Sequence, residues 1–509
     1  METTKILLKP GTPDDDNRDY LPERIKGSDI VVNENGNNSQ PYPENLKEYH
    51  ESLLGDGITD TWYEYVPSGY DPAKKVPLVI SMHGGLMTGW GQAIYTSWTL
   101  MAEEHNFIVA FPDASHMRVW SVEWGRWRFD DGKTGREEAP GELPETPESI
   151  EQNHDVQMAR ALIEKMQQKY SIDEERIFMQ GMSMGDLMTA MFTRNYGDVL
   201  AGAAGSGCAT FLSVLFSPEG EVQNKAGHVD IFQSRPELND IPPDKEEALT
   251  VNRYNRYYWM RINECEPIPQ ISIVGEDNFA FYRGKKADVT YLDIKNRDHG
   301  QTLDDASLIW NYHFSGVRRK ADGTIMHTDS NIPRTGDKFA FSAADGCSFG
   351  WMNNRVVPMK TKAMLWQKLK YHGLNGGQAV RGEYLCVPLS FLCEAIGAKY
   401  QPSADTLTAV AILPDGRRLQ FARGSIGCVI DNTMRSMYCE ALHRDGELLV
   451  SIEWFSRYLL NLQVSSCDGV AYATDHFNTL STNMADLIRD LLKSGGMLPD
   501  YAKIPPINA

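Results

Sequence analysis

Arg176-Ile177-Phe178-Met179-Gln180-Gly181-Met182-Ser183-Met184-Gly185-Asp186-Leu187-Met188-Thr189-Ala190-Met191-Phe192 is the stretch that decides how this chain folds. Its first five residues read as a short buried strand, and Asp186 to Phe192 read as a helix. Between them Gly181-Met182-Ser183-Met184-Gly185 is a Gly-x-Ser-x-Gly turn, the signature of a nucleophile elbow. The turn is sharp enough to strain the serine backbone, and the glycines leave room for close strand–helix approach. The Ser183 hydroxyl then projects above the sheet edge, where backbone N–H groups can hold an oxyanion. The pentapeptide alone is a weak signal. Its weight rests on partners in the order oxyanion loop, nucleophile, acid, histidine.

Those partners are present in that order. Val76-Pro77-Leu78-Val79-Ile80-Ser81-Met82 is an apolar strand ending in His83-Gly84-Gly85. Its glycines let the backbone aim an N–H at a carbonyl oxygen, so the expected oxyanion donors are Met184 and either Gly85 or Leu86. His83 suits loop structure better than catalysis. Gln270-Ile271-Ser272-Ile273-Val274 reads as a further buried strand, followed by Gly275-Glu276-Asp277-Asn278. A carboxylate just past a strand end can orient an imidazole, with Asp277 the first choice and Glu276 the second. Val289-Thr290-Tyr291-Leu292-Asp293-Ile294 reads as the last strand, and Arg297-Asp298-His299-Gly300 follows it. Ser183, His299 and Asp277 are thus the expected nucleophile, base and acid.

Residues from about Thr61 to Phe314 resemble the polyhydroxybutyrate-depolymerase and feruloyl-esterase group of α/β-hydrolases. The likeness lies in Tyr65-Val66-Pro67-Ser68-Gly69-Tyr70, in Pro77 to Gly84, and in Phe107-Ile108-Val109-Ala110-Phe111-Pro112-Asp113. Asn153-His154-Asp155-Val156 before the elbow, and Asp298-His299-Gly300 with Trp310 after it, extend the likeness. The resemblance implies an esterase with a serine triad. The chain departs from it at Asp186, where the group has a second glycine. It also has one residue fewer between Gly275 and Asp277 than the group's acid loop.

The chain has 509 residues, too many for one core, so two or three domains are expected. A net charge of −19 and a pI near 5.1 argue against nucleic acid and anionic membrane surfaces as partners. No apolar run reaches the length of a membrane span. Among the eight cysteines there is no CxxC pair, and no HExxH occurs, so neither metal nor cofactor is expected. Both disulfides and buried thiols remain open for them. Met1 to Lys5 carry no signal-peptide apolar region. The expected compartment is cytoplasmic if Met1 is the native start, and extracellular or cell envelope if a signal has been removed.

The expected layout is an N-terminal extension over 1–60, an α/β-hydrolase domain over 61–318, a linker over 319–339, a duplicated accessory domain over 340–475, and a C-terminal helix and tail over 476–509. Strand–helix alternation in the catalytic part predicts a mostly parallel sheet with helices on both faces. Two lid-like insertions, about 115–148 and 209–266, are rich in aromatics. Trp120, Trp124 and Trp259 are candidate walls for an aryl or sugar-bearing substrate.

The duplication shows at an offset of 64. Gly382 to Phe391 matches Gly446 to Phe455, and a short helix follows each. A weaker echo sets Met352-Asn353-Asn354-Arg355 against Ile430-Asp431-Asn432-Thr433, both read as hairpins. Tyr384 to Leu389 and Glu394 to Lys399 resemble the small duplicated domain at the N-terminus of some copper amine oxidases, with no metal-spaced histidines. That likeness implies packing, homo-oligomer formation or cell-surface attachment.

The expected activity is carboxylic ester hydrolysis through an acyl-enzyme, on aryl or hydroxycinnamoyl esters or polyesters. A serine peptidase on the same scaffold, and a binding protein with a vestigial core, are the alternatives.

Overall fold

The computed structural model describes residues 45–116, 118–127, 143–217, 219–300, 304–370 and 379–501. Most of the expected N-terminal extension, the middle of the first insertion and the last residues of the tail lie outside them. Among the described residues no helix is long and apolar enough to cross a membrane.

The catalytic part is built on ten strands: β1 (Leu46–Glu51), β2 (Asp60–Tyr65), β3 (Val76–Met82), β4 (Ile108–Pro112), β5 (Ile172–Met182), β6 (Gly202–Ser206), β7 (Asp230–Pro236), β8 (Gln270–Val274), β9 (Asp277–Tyr282) and β10 (Val289–Ile294). They form one sheet in the order β1-β2-β4-β3-β5-β6-β7-β10-β9-β8. The six central strands, β4 to β10 in that order, run parallel, and both edges are antiparallel.

Helices cover both faces: α1 (Gly89–Tyr95), α2 (Trp98–His105), α3 (His154–Lys169), α4 (Met184–Tyr196), α5 (Leu212–Leu215), α6 (Lys245–Asn263) and α7 (Asp305–Tyr312). Every residue of β3 is buried, as expected of a strand covered on both sides. Leu78, Ile80 and Met82 pack with Val156, Leu162 and Met166 of α3 and with Met188 of α4. Val79 faces the other way, into a core with Trp98 of α2 and Trp310 of α7. The apolar positions of α3 at helical spacing, Val156, Ala159, Leu162, Ile163 and Met166, are all buried.

Two readings of the catalytic part are corrected. The segment 209–266 is not a single insertion, because it contains the core strand β7 and helix α6. The strand ending at Val274 does not open into an acid loop. It turns back through Gly275, at φ +60, into the antiparallel β9, with Val274 paired to Asp277.

The expected linker is docked rather than free. It contributes β12 (Ile325–His327), paired with β11 (Val317–Arg319). Its Asp337 accepts from Ile273 N (3.1 Å), Ser272 Oγ (2.9 Å) and Tyr472 Oη (2.6 Å).

The C-terminal part comprises β13 (Ala340–Ala344), β14 (Phe349–Met352), β15 (Arg355–Pro358), β16 (Met364–Lys370), β17 (Ala379–Pro388), β18 (Lys399–Pro402), β19 (Thr408–Ile412), β20 (Arg418–Ala422), β21 (Gly427–Ile430), β22 (Thr433–Ser436), β23 (Leu442–Arg444), β24 (Glu447–Ser451), β25 (Gln463–Cys467) and β26 (Val470–Thr474), with helices α8 (Leu389–Ala395), α9 (Ile452–Trp454) and α10 (Thr482–Lys493). The two repeats meet strand to strand. Cys386 pairs with Ser451 and Val387 with Val450, so each residue faces its neighbour's equivalent across a local two-fold. Both echo hairpins are two-residue turns with both residues at positive φ: Asn353-Asn354 (47° and 62°) and Asp431-Asn432 (46° and 67°). All eight cysteines are free thiols, seven of them buried.

One hydrophobic core runs from the sheet of the catalytic part into β13, β26 and α10. Helix α10 lies against α6, where Arg253 grips Asp486 (2.7 and 2.9 Å) and Arg256 meets Asp490 (3.3 Å).

Candidate active site

Ser183 sits between β5 and α4 at φ 56, ψ −119, backbone geometry that a side chain adopts only at a cost of about 1–3 kcal/mol. The flanking glycines are dictated by space. A Cβ on Gly181 would lie 1.9 Å from the Gly185 carbonyl oxygen, and one on Gly185 would lie 2.4 Å from that of Met82. The elbow is pinned by Ser183 N donating to Ser206 O at 2.8 Å.

His299 lies on the loop after β10, and its Nε2 is 2.9 Å from Ser183 Oγ. Arg297 anchors this loop from within, donating to Ser234 Oγ (2.7 Å) and to Gly300 O (2.6 Å) and pairing with buried Asp305. Burial holds the imidazole below its ordinary value, against the opposing charges of Asp240 and Asp298.

Of the carboxylates acting on His299, Asp240 acts most strongly, and it lies on the loop after β7. The Asp240 loop is stitched to the histidine loop. Asn239 Nδ2 donates to Asp298 Oδ1 (2.7 Å), which also accepts from His299 N (2.7 Å), and Leu238 N donates to Arg297 O (2.9 Å). Asp240 Oδ1 accepts from Ile241 N (2.8 Å), and Oδ2 accepts from Asn252 Nδ2 (3.0 Å).

Asp277 does not occupy this place. As the first residue of β9 it pairs with Val274 and Ile294. Burial, and after it Asp304, Asp305 and Glu276, push its carboxyl up to about 6, with Arg297 opposing. Glu276 lies in the hairpin turn beside it. The sequence signal for Asp240 was a carboxylate one loop past Asp230-Ile-Phe-Gln-Ser-Arg-Pro236, a strand too polar to be read as one.

Asp186 fills the position where the resembled family has glycine. Its carboxyl occupies space that a Cβ on Gly205 would invade at 1.9 Å. It accepts from Cys208 N (3.3 Å) and faces Arg235 Nη1 (3.3 Å). Burial raises it to about 7, with Arg235 opposing.

The oxyanion loop is rigid. His83 is fully buried, its Nε2 accepts from Ala114 N (3.0 Å), and its Nδ1 therefore carries the proton, 2.7 Å from Gly84 O. Burial lowers this imidazole to about 4, so it stays neutral. Leu86 N donates to Arg118 O at 2.9 Å, which removes Leu86 as a donor. Gly85, pressed against the Met184 side chain, and Met184 itself, at the N-terminus of α4, remain the candidate pair.

Two of the three candidate wall residues are structural. Trp120 is fully buried, packs on His83 at a tilt of 31° with centroids 4.6 Å apart, and donates to His83 O at 2.7 Å. Asp155 and Asn153 hold the segment bearing Trp120 through Ser115 N (2.9 Å), Ser121 N (2.8 Å) and Ser121 O (2.7 Å), which accounts for the Asn-His-Asp motif. Trp259 is buried on α6 against Tyr258. Trp124 is half-buried beside Phe211, on which Trp127 stacks at 3.9 Å.

Winding in this order carries the loops after β5, β7 and β10 to one edge of the sheet, as α/β-hydrolases do to assemble a serine site. The chain has that fold. Over 162 residues it is 31% identical to poly(3-hydroxyalkanoate) depolymerase C of Paucimonas lemoignei, covering 30% of this chain and 34% of that protein. Over 126 residues it is 25% identical to the bifunctional acetylxylan esterase/xylanase XynS20E of Neocallimastix patriciarum, covering 25% of this chain and 14% of that protein. The chain thus spans about a third of the first relative and less of the second. Among solved structures, acetyl xylan esterase from Aspergillus awamori aligns over 52% of this chain and 98% of its own, at 14% identity and a TM-score of 0.36. A thermostable esterase aligns over 43% and 53%, at 18% identity and a TM-score of 0.31. No known protein-family profile matches the chain.

Proposed function

We propose that this chain is a carboxylic-ester hydrolase working through Ser183, His299 and Asp240. The 2.9 Å approach of Ser183 Oγ to His299 Nε2 carries the reading. Ser183 attacks the ester carbonyl while Nε2 takes its proton and then returns it to the leaving alcohol. Nε2 accepts only when the ring proton sits on Nδ1, and the negative charge of Asp240 favours that tautomer and the imidazolium that follows. The N–H groups of Met184 and Gly85 hold the oxyanion. Water attacking the acyl-enzyme releases the acid and frees Ser183.

One curated relative is named for depolymerising a poly(3-hydroxyalkanoate) and the other for acting on acetylxylan. We assign ester bonds of polyesters or acylated polysaccharides, with aryl and hydroxycinnamoyl esters as members of the class. The test is a panel of p-nitrophenyl, feruloyl, acetyl and polyester substrates, with peptide anilides as the counter-set. Turnover of esters by the intact protein, lost in Ser183→Ala, is the expected result. Turnover retained in Ser183→Ala, or cleavage of anilides alone, would overturn it.

A further inference from the structure

The esterase reading gives the C-terminal part no role, yet the last helix holds the acid. Asn252, on α6 and 3% exposed, spends both hydrogens of one amide: Nδ2 donates to Asp240 Oδ2 at 3.0 Å and to Asn483 Oδ1 at 3.3 Å. Asn483 is itself buried, on the first turn of α10. Its N–H points at Asp293 Oδ2 of β10 (3.3 Å), and its Nδ2 points at Pro236 O, the end of β7 (3.4 Å). The preceding N–H, of Thr482, donates to Glu237 Oε1 at 2.8 Å, and Glu237 also receives Lys295 Nζ and Asn296 N at 2.7 Å each. One turn of α10 therefore grips the ends of both strands whose loops carry Asp240 and His299.

The chemistry of the amide makes this specific. If Asn252 turned over, its Oδ1 would face the Asp240 carboxylate on one side and the Asn483 carbonyl oxygen on the other. Acceptor would then meet acceptor at both. Asn483 thus reinforces the orientation that Asp240 itself demands of Asn252 and holds the shared NH2 group in place, and a carboxylate buried here needs that donor to stay ionised.

We infer that Asn483, through Asn252, is a positioning residue for Asp240. The inference rests on the esterase reading above. The other groups acting on Asp240 or its charge are Arg235 of β7, Asp186 of α4, Cys208, Tyr291 of β10 and His299. None of them lies on α10.

The test compares full-length Asn252→Ala, Asn483→Ala and Asp490→Asn, following kcat, KM and the pH profile on an aryl ester. Misplacement of the acid should lower kcat about 10–100-fold in Asn252→Ala and less in Asn483→Ala, with KM little changed. In both, the acid limb should move to higher pH, because a carboxylate that has lost a donor is protonated more easily. Asp490→Asn loosens the same helix at the Arg256 and Tyr257 contacts without touching the chain of amides. It should lower Tm and leave kcat and the profile in place. An unchanged profile in Asn483→Ala, or an equal shift in Asp490→Asn, would overturn the inference while a dead Ser183→Ala left the esterase reading standing. An active Ser183→Ala would sink both.

Discussion

Strands β7 and β10 carry a cluster of aspartate, histidine and arginine at each end, and the two clusters behave oppositely. At their C-terminal ends lie Asp186, Arg235, Asp240 and His299. There burial raises both carboxyls, with the guanidinium of Arg235 opposing at each, and burial lowers the imidazole, with Arg297 adding to that shift. At their N-terminal ends lie Asp230, Asp288, His313, His327 and Arg334. Asp230 meets His313 Nδ1 (3.0 Å), His327 Nε2 and Arg334 (3.5 Å). Burial pushes Asp230 up, yet His327 and His313 hold it well below its ordinary value of 3.8. Burial pulls His327 down, yet Asp230 raises it above 6.5. The same residue types are dominated by burial at the end that bears the proposed site, and by their opposite charges at the other.

The comparison breaks most visibly at the nucleophile. Ser183→Ala should lower kcat by at least about 10⁴-fold with Tm unchanged, measured by ester turnover and thermal melting. Next is the acid, where Asp240→Asn should cost about 10³–10⁴-fold in kcat. Removing the negative charge that raises His299 should also shift the acid limb of kcat/KM to lower pH, the opposite direction from Asn252→Ala. Asp277→Asn should leave both close to wild type. A larger loss there than in Asp240→Asn would restore Asp277 as the acid.

At the other end of the same strands the effect should fall on stability. Asp230→Asn removes the anion shared by buried Arg334 and two histidines, leaving only Asp288 beside Arg334 (3.4 Å) and His327 (3.7 Å), and should cost about 3–5 kcal/mol in a denaturant titration, with kcat within about twofold. A catalytic loss exceeding the stability loss would erase the distinction between the ends.

The smallest effect is the pH dependence of the paired cluster. His327 has a folded pKa above its unfolded value, so its contribution is complete below about pH 6.5 and is lost as pH rises through the folded value. Asp230, depressed on folding, contributes above 3.8 and loses this as pH falls. The stability deficit of His327→Gln, on the order of 1 kcal/mol in a denaturant titration, should therefore be greatest near pH 5–6 and shrink above neutrality.

The catalytic strands were legible where burial and apolarity coincide. β3, the end of β5 and β10 read directly as apolar runs, and the oxyanion loop, the elbow and His299 followed from them. β7 was not legible, because Asp230, Gln233, Ser234 and Arg235 are polar yet buried, paid for by partners far along the chain. Once β7 was lost inside an insertion, the acid was sought one strand too late. Trp120 and Trp259 misled for a related reason: an aromatic in an irregular segment has the same letter whether it lines a cleft or braces a loop. The duplicated hairpins were legible because Asn-Asn and Asp-Asn announce a turn with positive φ at both positions.

The grip of α10 on β7 and β10 bears on how the chain matures. Ser183, His299 and Asp240 all leave the ribosome well before Asn483, at about 5–20 residues per second. Until that helix arrives, the nascent chain holds a complete set of reactive side chains but lacks the clasp that aligns them. On the inference above, fragments made by premature termination or by nicking upstream of α10 should turn esters over more slowly than the whole chain.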